Sequence, residues 1–160
     1  MKPKIISIIV IIFCVLLAIV FSFFSSSSKT DLGSVNTSFK LFGSDHLVSV
    51  AQFYDEEIPG ISCYISRAKT GGVKGSLGIA EDSSDAAISC QQIKNIDVSK
   101  ISVDQTQVFN ERRSIGFKKL RVVRMFDKEN NTLIYLIYSD KLVDGSPQNS
   151  LSAVHINNNK

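Results

Sequence analysis

The sequence predicts a mainly β domain, an antiparallel sheet or sandwich with one or two short helices, behind an N-terminal apolar helix. Three observations carry that prediction. Apolar and polar residues alternate with period two in short runs between Ser34 and Ile156. Gly, Pro, Ser and Asp punctuate those runs at residues 43–45, 59–60 and 144–147. Residues 5–24 form an apolar stretch in which only Ser7 and Ser22 are polar.

That stretch accounts for the apolar bias of the chain. The first 24 residues hold 19 of its 70 apolar residues and leave 51 in the other 136. Lys2 and Lys4 precede it with no acid beside them, a pattern that keeps this end cytoplasmic and sends the chain beyond Phe24 across the membrane. Twenty residues at 1.5 Å each span about 30 Å, enough for a bilayer. Ser25 and Ser27, or Ser26 and Ser28, are small residues suited to signal cleavage. Residues 1–24 therefore read as a signal anchor or a cleaved signal peptide. Either way the rest is expected in the periplasm, anchored to the inner membrane through residues 5–24 or released. Cys14 follows Ile11-Ile12-Phe13, a poor lipoprotein context, and reads as apolar filler.

The exported part divides into a polar spacer (25–32), a single domain (33–156) and a disordered tail (157–160). From Ser34 to Phe42, Val35, Thr37, Phe39 and Leu41 share one face, as in a half-buried strand. Gly43-Ser44-Asp45 is a turn, and Leu47 to Tyr54 its antiparallel return. After Pro59-Gly60, Ile61, Cys63 and Ile65 share the core face of a strand running to Ser66. Arg67 to Gly78 is a glycine-rich loop. From Asp82 to Lys94, Asp82 as N-cap with Ala86, Cys90 and Ile93 at helical spacing favours a short helix, although Ile88 and Cys90 also fit a strand. Leu120–Phe126 and Leu133–Tyr138 form a hairpin whose second strand is apolar on both faces and therefore central. Ser150–Ile156 is a last short strand.

Charge and motifs exclude more than they assign. The 18 Lys and Arg against 15 Asp and Glu give +3, or +1 without Lys2 and Lys4, so no nucleic-acid partner is expected. Arg112 to Lys128 carries seven basic residues, but strand alternation sends Lys119 and Arg121 one way and Lys118 and Arg124 the other. They read as solvated edges and local salt bridges. Cys63 and Cys90 are an even pair in an exported domain, without C-x-x-C spacing or a histidine cluster, and are expected to form a structural disulfide. No G-x-S-x-G, H-E-x-x-H or Walker A motif is present, and Glu81, Asp82 and Asp85 lack the alternation of a calcium loop. Catalytic residues, metal and cofactor are accordingly expected to be none. The best candidate surface is the loop holding Arg67, Lys69, Gly71, Gly72, Lys74 and Gly75, where glycines expose backbone N–H groups among cations, as in anion or partner sites.

Longer strings add a resemblance. Gly33-Ser34-Val35-Asn36-Thr37 and the runs Cys63 to Gly75 and Leu77 to Gln92 resemble the CreA family of exported bacterial proteins. So do Val122-Val123-Arg124, Tyr138 to Lys141, Gly145-Ser146-Pro147 and Ser152-Ala153-Val154. The resemblance spans about Gly33 to Val154. It implies a periplasmic protein of Gram-negative bacteria with no established activity and no site residues to carry over. In some bacteria the family's gene lies beside a two-component regulatory system, which implies a link to envelope sensing. The chain departs in its long apolar segment and at Ser44, where a proline is expected. The function expected is a non-enzymatic binding or adaptor module for an unknown protein or small anionic ligand. The alternative is a hydrolase-like enzyme using the acids at 81–85.

Overall fold

The computed structural model describes Phe13 and residues 28–37, 46–70, 86–112, 119–140 and 148–158. Several sequence expectations lie outside those residues. They are the N-terminal apolar helix apart from Phe13, residues 38–42 of the first strand, the turn at 43–45, residues 71–85 and the loop at 144–147.

Eight strands form two four-stranded antiparallel sheets, each a meander in sequence order. The first contains β1 (Thr30–Asn36), β2 (His46–Tyr54), β3 (Ile61–Thr70) and β4 (Ala86–Gln92). The second contains β5 (Thr106–Arg112), β6 (Lys119–Asp127), β7 (Thr132–Ser139) and β8 (Asn149–His155). The expected mainly β, antiparallel architecture is therefore observed. From residue 28 on, helix among the described residues is confined to one 3-10 turn, Val98–Lys100, capped by Asp97, whose side chain accepts from the Ser99 N–H.

Period-two patterning builds one core between the sheets. Ile61, Cys63 and Ile65 on β3, Leu120 and Val122 on β6, and Leu133, Tyr135 and Ile137 on β7 alternate into it and are almost fully buried. Phe53 of β2 meets Phe109 of β5 with ring centroids 4.6 Å apart, tying the two layers. The hairpin from β6 to β7 turns at Asp127–Asn131, where Asp127 accepts from the Asn130 N–H and Asn131 takes a left-handed φ of 49°. β7 lies between β6 and β8, as its two apolar faces predict.

The sheets approach along β4 and β8, where Cys90 N–H donates to Ser152 Oγ at 2.9 Å. Cys63 and Cys90 face each other in the β3–β4 register and are bonded, with Cα atoms 4.0 Å apart. Cys90 thus commits its N–H to β8 while its side chain binds β3.

Three expectations change. Ala86–Gln92 is a strand, not a helix: Ile88 and Cys90 point inward by alternation, whereas Ile93, which the helical spacing would bury, is 43% exposed. β1 is exposed along its whole length, and Val35 is 70% exposed, because the strand is a sheet edge that adds no residue to the core between the sheets. Its alternation therefore does not make it half-buried. β5 has no counterpart among the expected strands, because a bulge between Gln107 and Phe109 breaks its alternation.

Candidate functional site

Two ionic clusters join the sheets, and both arise where a charged residue occupies a core-facing strand position. On β3 the inward set continues from Ile61, Cys63 and Ile65 to Arg67, which is 8% exposed. Its guanidinium reaches β5 and grips Glu111 with both terminal nitrogens, at 2.6 and 2.9 Å. Lys29, just before β1, donates to the same carboxylate at 2.8 Å. Burial pushes the Glu111 carboxyl up, but the hydrogen bonds from Arg67 and Lys29 outweigh it and hold its pKa below the usual range.

Lys69, two residues along β3, is half-buried on the same face. Burial, then the neighbouring charges of Arg67 and Lys29, hold its amine below the ordinary lysine value against the pull of Asp31 and Glu111. The neighbourhood is thus electropositive around Lys69, while Arg67 is already satisfied.

The second cluster is deeper. Asp55, fully buried after β2, accepts both hydrogen bonds of Arg124 Nη1 on β6, at 2.8 and 2.7 Å. The Tyr135 hydroxyl on β7 donates to Asp55 Oδ2 at 2.8 Å, and the N–H groups of Glu57 and Ile58 donate to Oδ1. Arg124 Nη2 also pairs with Glu57. Burial opposes the Arg124 charge, but its bonds to Glu57 and Asp55 hold its pKa above the ordinary arginine value. Burial and the Asp55 carboxylate push the Tyr135 phenol upward, so it stays protonated and donates. Arg124 Nε alone is left buried without a partner; the rest of the network is mutually satisfied and holds the geometry of the three elements.

At the end of β3 beyond Arg67, the starts of β4 and β8 enclose a shallow depression of about 380 Å³. Ser66, Ala68, Ala86, Ala87, Asn149 and Ser150 are among its lining residues. Apart from Arg67, whose guanidinium is held by Glu111, the lining side chains are uncharged and mostly small. They suit the close approach of another backbone better than bond-breaking chemistry.

Of the expected site residues, Arg67 and Lys69 belong to β3 rather than to a loop, and Arg67 is a buried tie between the sheets. Gly71, Gly72, Lys74 and Gly75 lie outside the described residues. Arg124, expected on a solvated edge, is 1% exposed. Sequence reasoning missed Lys29, Asp55, Glu111 and Tyr135. Arg124 was detectable: it continues the inward series Leu120 and Val122, where an unpaired charge is forbidden and a partner is implied. Among the described residues no three His, Cys, Asp or Glu gather as a metal site, and no helix is long and apolar enough to cross a membrane.

A family model described as CreA protein matches residues 32–159. Protein CreA of Escherichia coli strain K12 is 52% identical over 130 residues, covering 79% of this chain and 83% of that protein. The CreA proteins of Escherichia coli O6:H1 strain CFT073 and of Escherichia coli O157:H7 are similar to the same extent. No solved structure matches the chain. With the family model spanning nearly all of both sheets, the disulfide, the Arg67–Glu111 pair and the Asp55 cluster, this chain belongs to the CreA family.

Proposed function

We propose that the protein is a non-enzymatic binding or adaptor module of the periplasm, linked to envelope sensing, that engages its partner at the far end of β3. The observation carrying this reading is the commitment of the interior charges. Arg67, Glu111, Asp55, Arg124 and Tyr135 are consumed in ties between the sheets. The depression beside them is lined, apart from the paired Arg67, by uncharged side chains, and Lys69 lies half-buried near it on β3. A rigid frame with a shallow polar face fits recognition, whereas catalysis asks for a concave pocket with convergent titratable groups.

Export is supported by the apolar stretch 5–24 behind Lys2 and Lys4, and by the Cys63–Cys90 bond, which persists in oxidising compartments. Partner or ligand is an unidentified protein or a small anion, and Lys69 and Lys74 are the cations assigned to it.

Crosslinking in intact cells with a reagent that does not pass the inner membrane tests both parts. Specific adducts are expected with the unaltered protein and should disappear in Lys69→Ala/Lys74→Ala, with little change in melting temperature. Failure of the reagent to label the protein refutes export. Unchanged adducts in the double variant refute the assigned surface.

A further inference from the structure

A second depression lies at the opposite end of β3, where the segment Glu57–Gly60 faces Lys94–Ile101, and encloses about 260 Å³. Both walls are loops, yet both are fastened by side chains. Asp55 Oδ1 accepts from the Glu57 and Ile58 N–H groups and fixes the first wall. The second is clasped by amides. Gln92 Nε2 donates to the Lys94 carbonyl at 2.9 Å, while Asn158 both accepts from Ile96 N–H and donates to the Ile96 carbonyl. The walls touch where Gly60 meets Ile96: a Cβ at Gly60 would lie 2.6 Å from Ile96 Cγ1. Loops held this way keep their shape, and a ligand entering between them orders little.

The chemistry of the lining is asymmetric. Ile58, Pro59, Ile96 and Ile101 supply apolar walls. Each carboxylate of the lining is already paired: Glu57 with Arg124, and Asp97 with Ser99 and Lys100. Lys94 is different. Among the described residues no carboxylate pairs with it, and its carbonyl, not its amine, is held by the clasp.

We propose that this cavity is a binding site for a small organic monoanion with an apolar body, such as a short-chain carboxylate. The apolar part would lie against Ile58, Pro59 and Ile96, and the anion would meet Lys94. The volume corresponds to roughly nine water molecules, so a body of similar size fits and a long acyl chain does not. The site is separate from the surface proposed above, about a strand's length away, so either assignment survives failure of the other.

The test is amide chemical-shift titration of the full, disulfide-bonded chain in a neutral detergent, with hexanoate as probe. Saturable shifts are expected at Gly60 and across Lys94–Ile101. Hexanol and Lys94→Gln should each weaken binding by about tenfold, the weight of one hydrogen bond to a charged group. Lys100→Gln, whose lysine is already paired, should bind as the unaltered protein does. Decanoate distinguishes a lipid-derived acyl chain and should bind no more tightly than hexanoate. The proposal is overturned if hexanoate gives no saturable shift at these residues or if hexanol shifts them equally. Undiminished affinity in Lys94→Gln, or tighter binding of decanoate, overturns it as well.

Discussion

Replacing Asp55 with alanine removes the acceptor on which three elements converge. Arg124 on β6 loses two hydrogen bonds, Tyr135 on β7 and the Glu57 N–H lose their side-chain acceptor, and the Ile58 N–H keeps only the Asp55 main-chain carbonyl. Arg124 keeps only Glu57, which is 62% exposed. Breaking a buried ion pair from one side costs about 3–5 kcal/mol, because the remaining charge stays buried without compensation. A domain of this size has on the order of 5–15 kcal/mol of stability, so Asp55→Ala should bring it near the edge of folding. The chain lacks Trp, so urea unfolding is best followed by far-ultraviolet circular dichroism on the oxidised protein. Tyr135→Phe, which removes a single donor, should cost only about 1 kcal/mol. The decisive variant is Asp55→Ala in an Arg124→Met background. With no buried cation left to strand, the added cost of Asp55→Ala should fall by at least about 2 kcal/mol. An Asp55→Ala cost below about 1 kcal/mol, or one that Arg124→Met leaves unchanged, would refute the reasoning.

The disulfide and the second cluster give two further expectations. Cys63→Ala/Cys90→Ala should lose about 3–4 kcal/mol by the loop-closure argument for a bridge spanning 27 residues, read as a lower urea midpoint; a loss under about 1 kcal/mol would assign stability to strand pairing alone. Glu111 has a folded pKa below its ordinary value of 4.5, so its contribution is present above that value and is lost as pH falls through the folded pKa. The stability gap between the unaltered protein and Glu111→Gln should therefore be widest near neutrality and shrink in acid, and a gap independent of pH contradicts the pairing with Arg67 and Lys29.

The strands legible in the sequence are those whose alternation is uninterrupted and whose inward face meets the other sheet. β6 and β7 satisfy both conditions and are readable to within a residue or so at each end. β5 fails the first, because its bulge places Val108 and Phe109 out of phase with the pleat. β1 has a register shift of its own between Asp31 and Gly33, and even over Ser34–Asn36, where its alternation holds, it fails the second: alternation records what a strand can bury, and a strand with no layer over it buries little. β4 is ambiguous because Ala86 and Cys90 lie four apart, a spacing that serves a helical face and, with Ile88 between them, equally a strand face. The Cys63 pairing decides it. Two cysteines directly opposite on neighbouring strands require Cys90 to be in a strand in register with β3.

The same physics explains which charges misled. A basic residue in a strand has two readings, solvated or buried with a partner, and local sequence cannot separate them when the partner is distant. Arg67 finds Glu111 44 residues away and Arg124 finds Asp55 69 residues away. Each pair forms only once the two sheets stack, so neither leaves a local signature such as the i,i+4 spacing of a helix. The phase of the alternation is the one local clue. Arg67 continues the series Ile61, Cys63, Ile65, and Arg124 continues Leu120, Val122. A cation in phase with a core series predicts a buried carboxylate elsewhere in the chain, because isolated burial of that charge is prohibitive. Lys94 is the counterexample that gives the cavity its interest. It follows the end of β4, out of any core series, beside walls that have been fastened, and no carboxylate among the described residues answers it. Where Arg67 and Arg124 close the fold with carboxylates of the chain, Lys94 has none among the described residues, and the proposed anion is the group that would answer its charge.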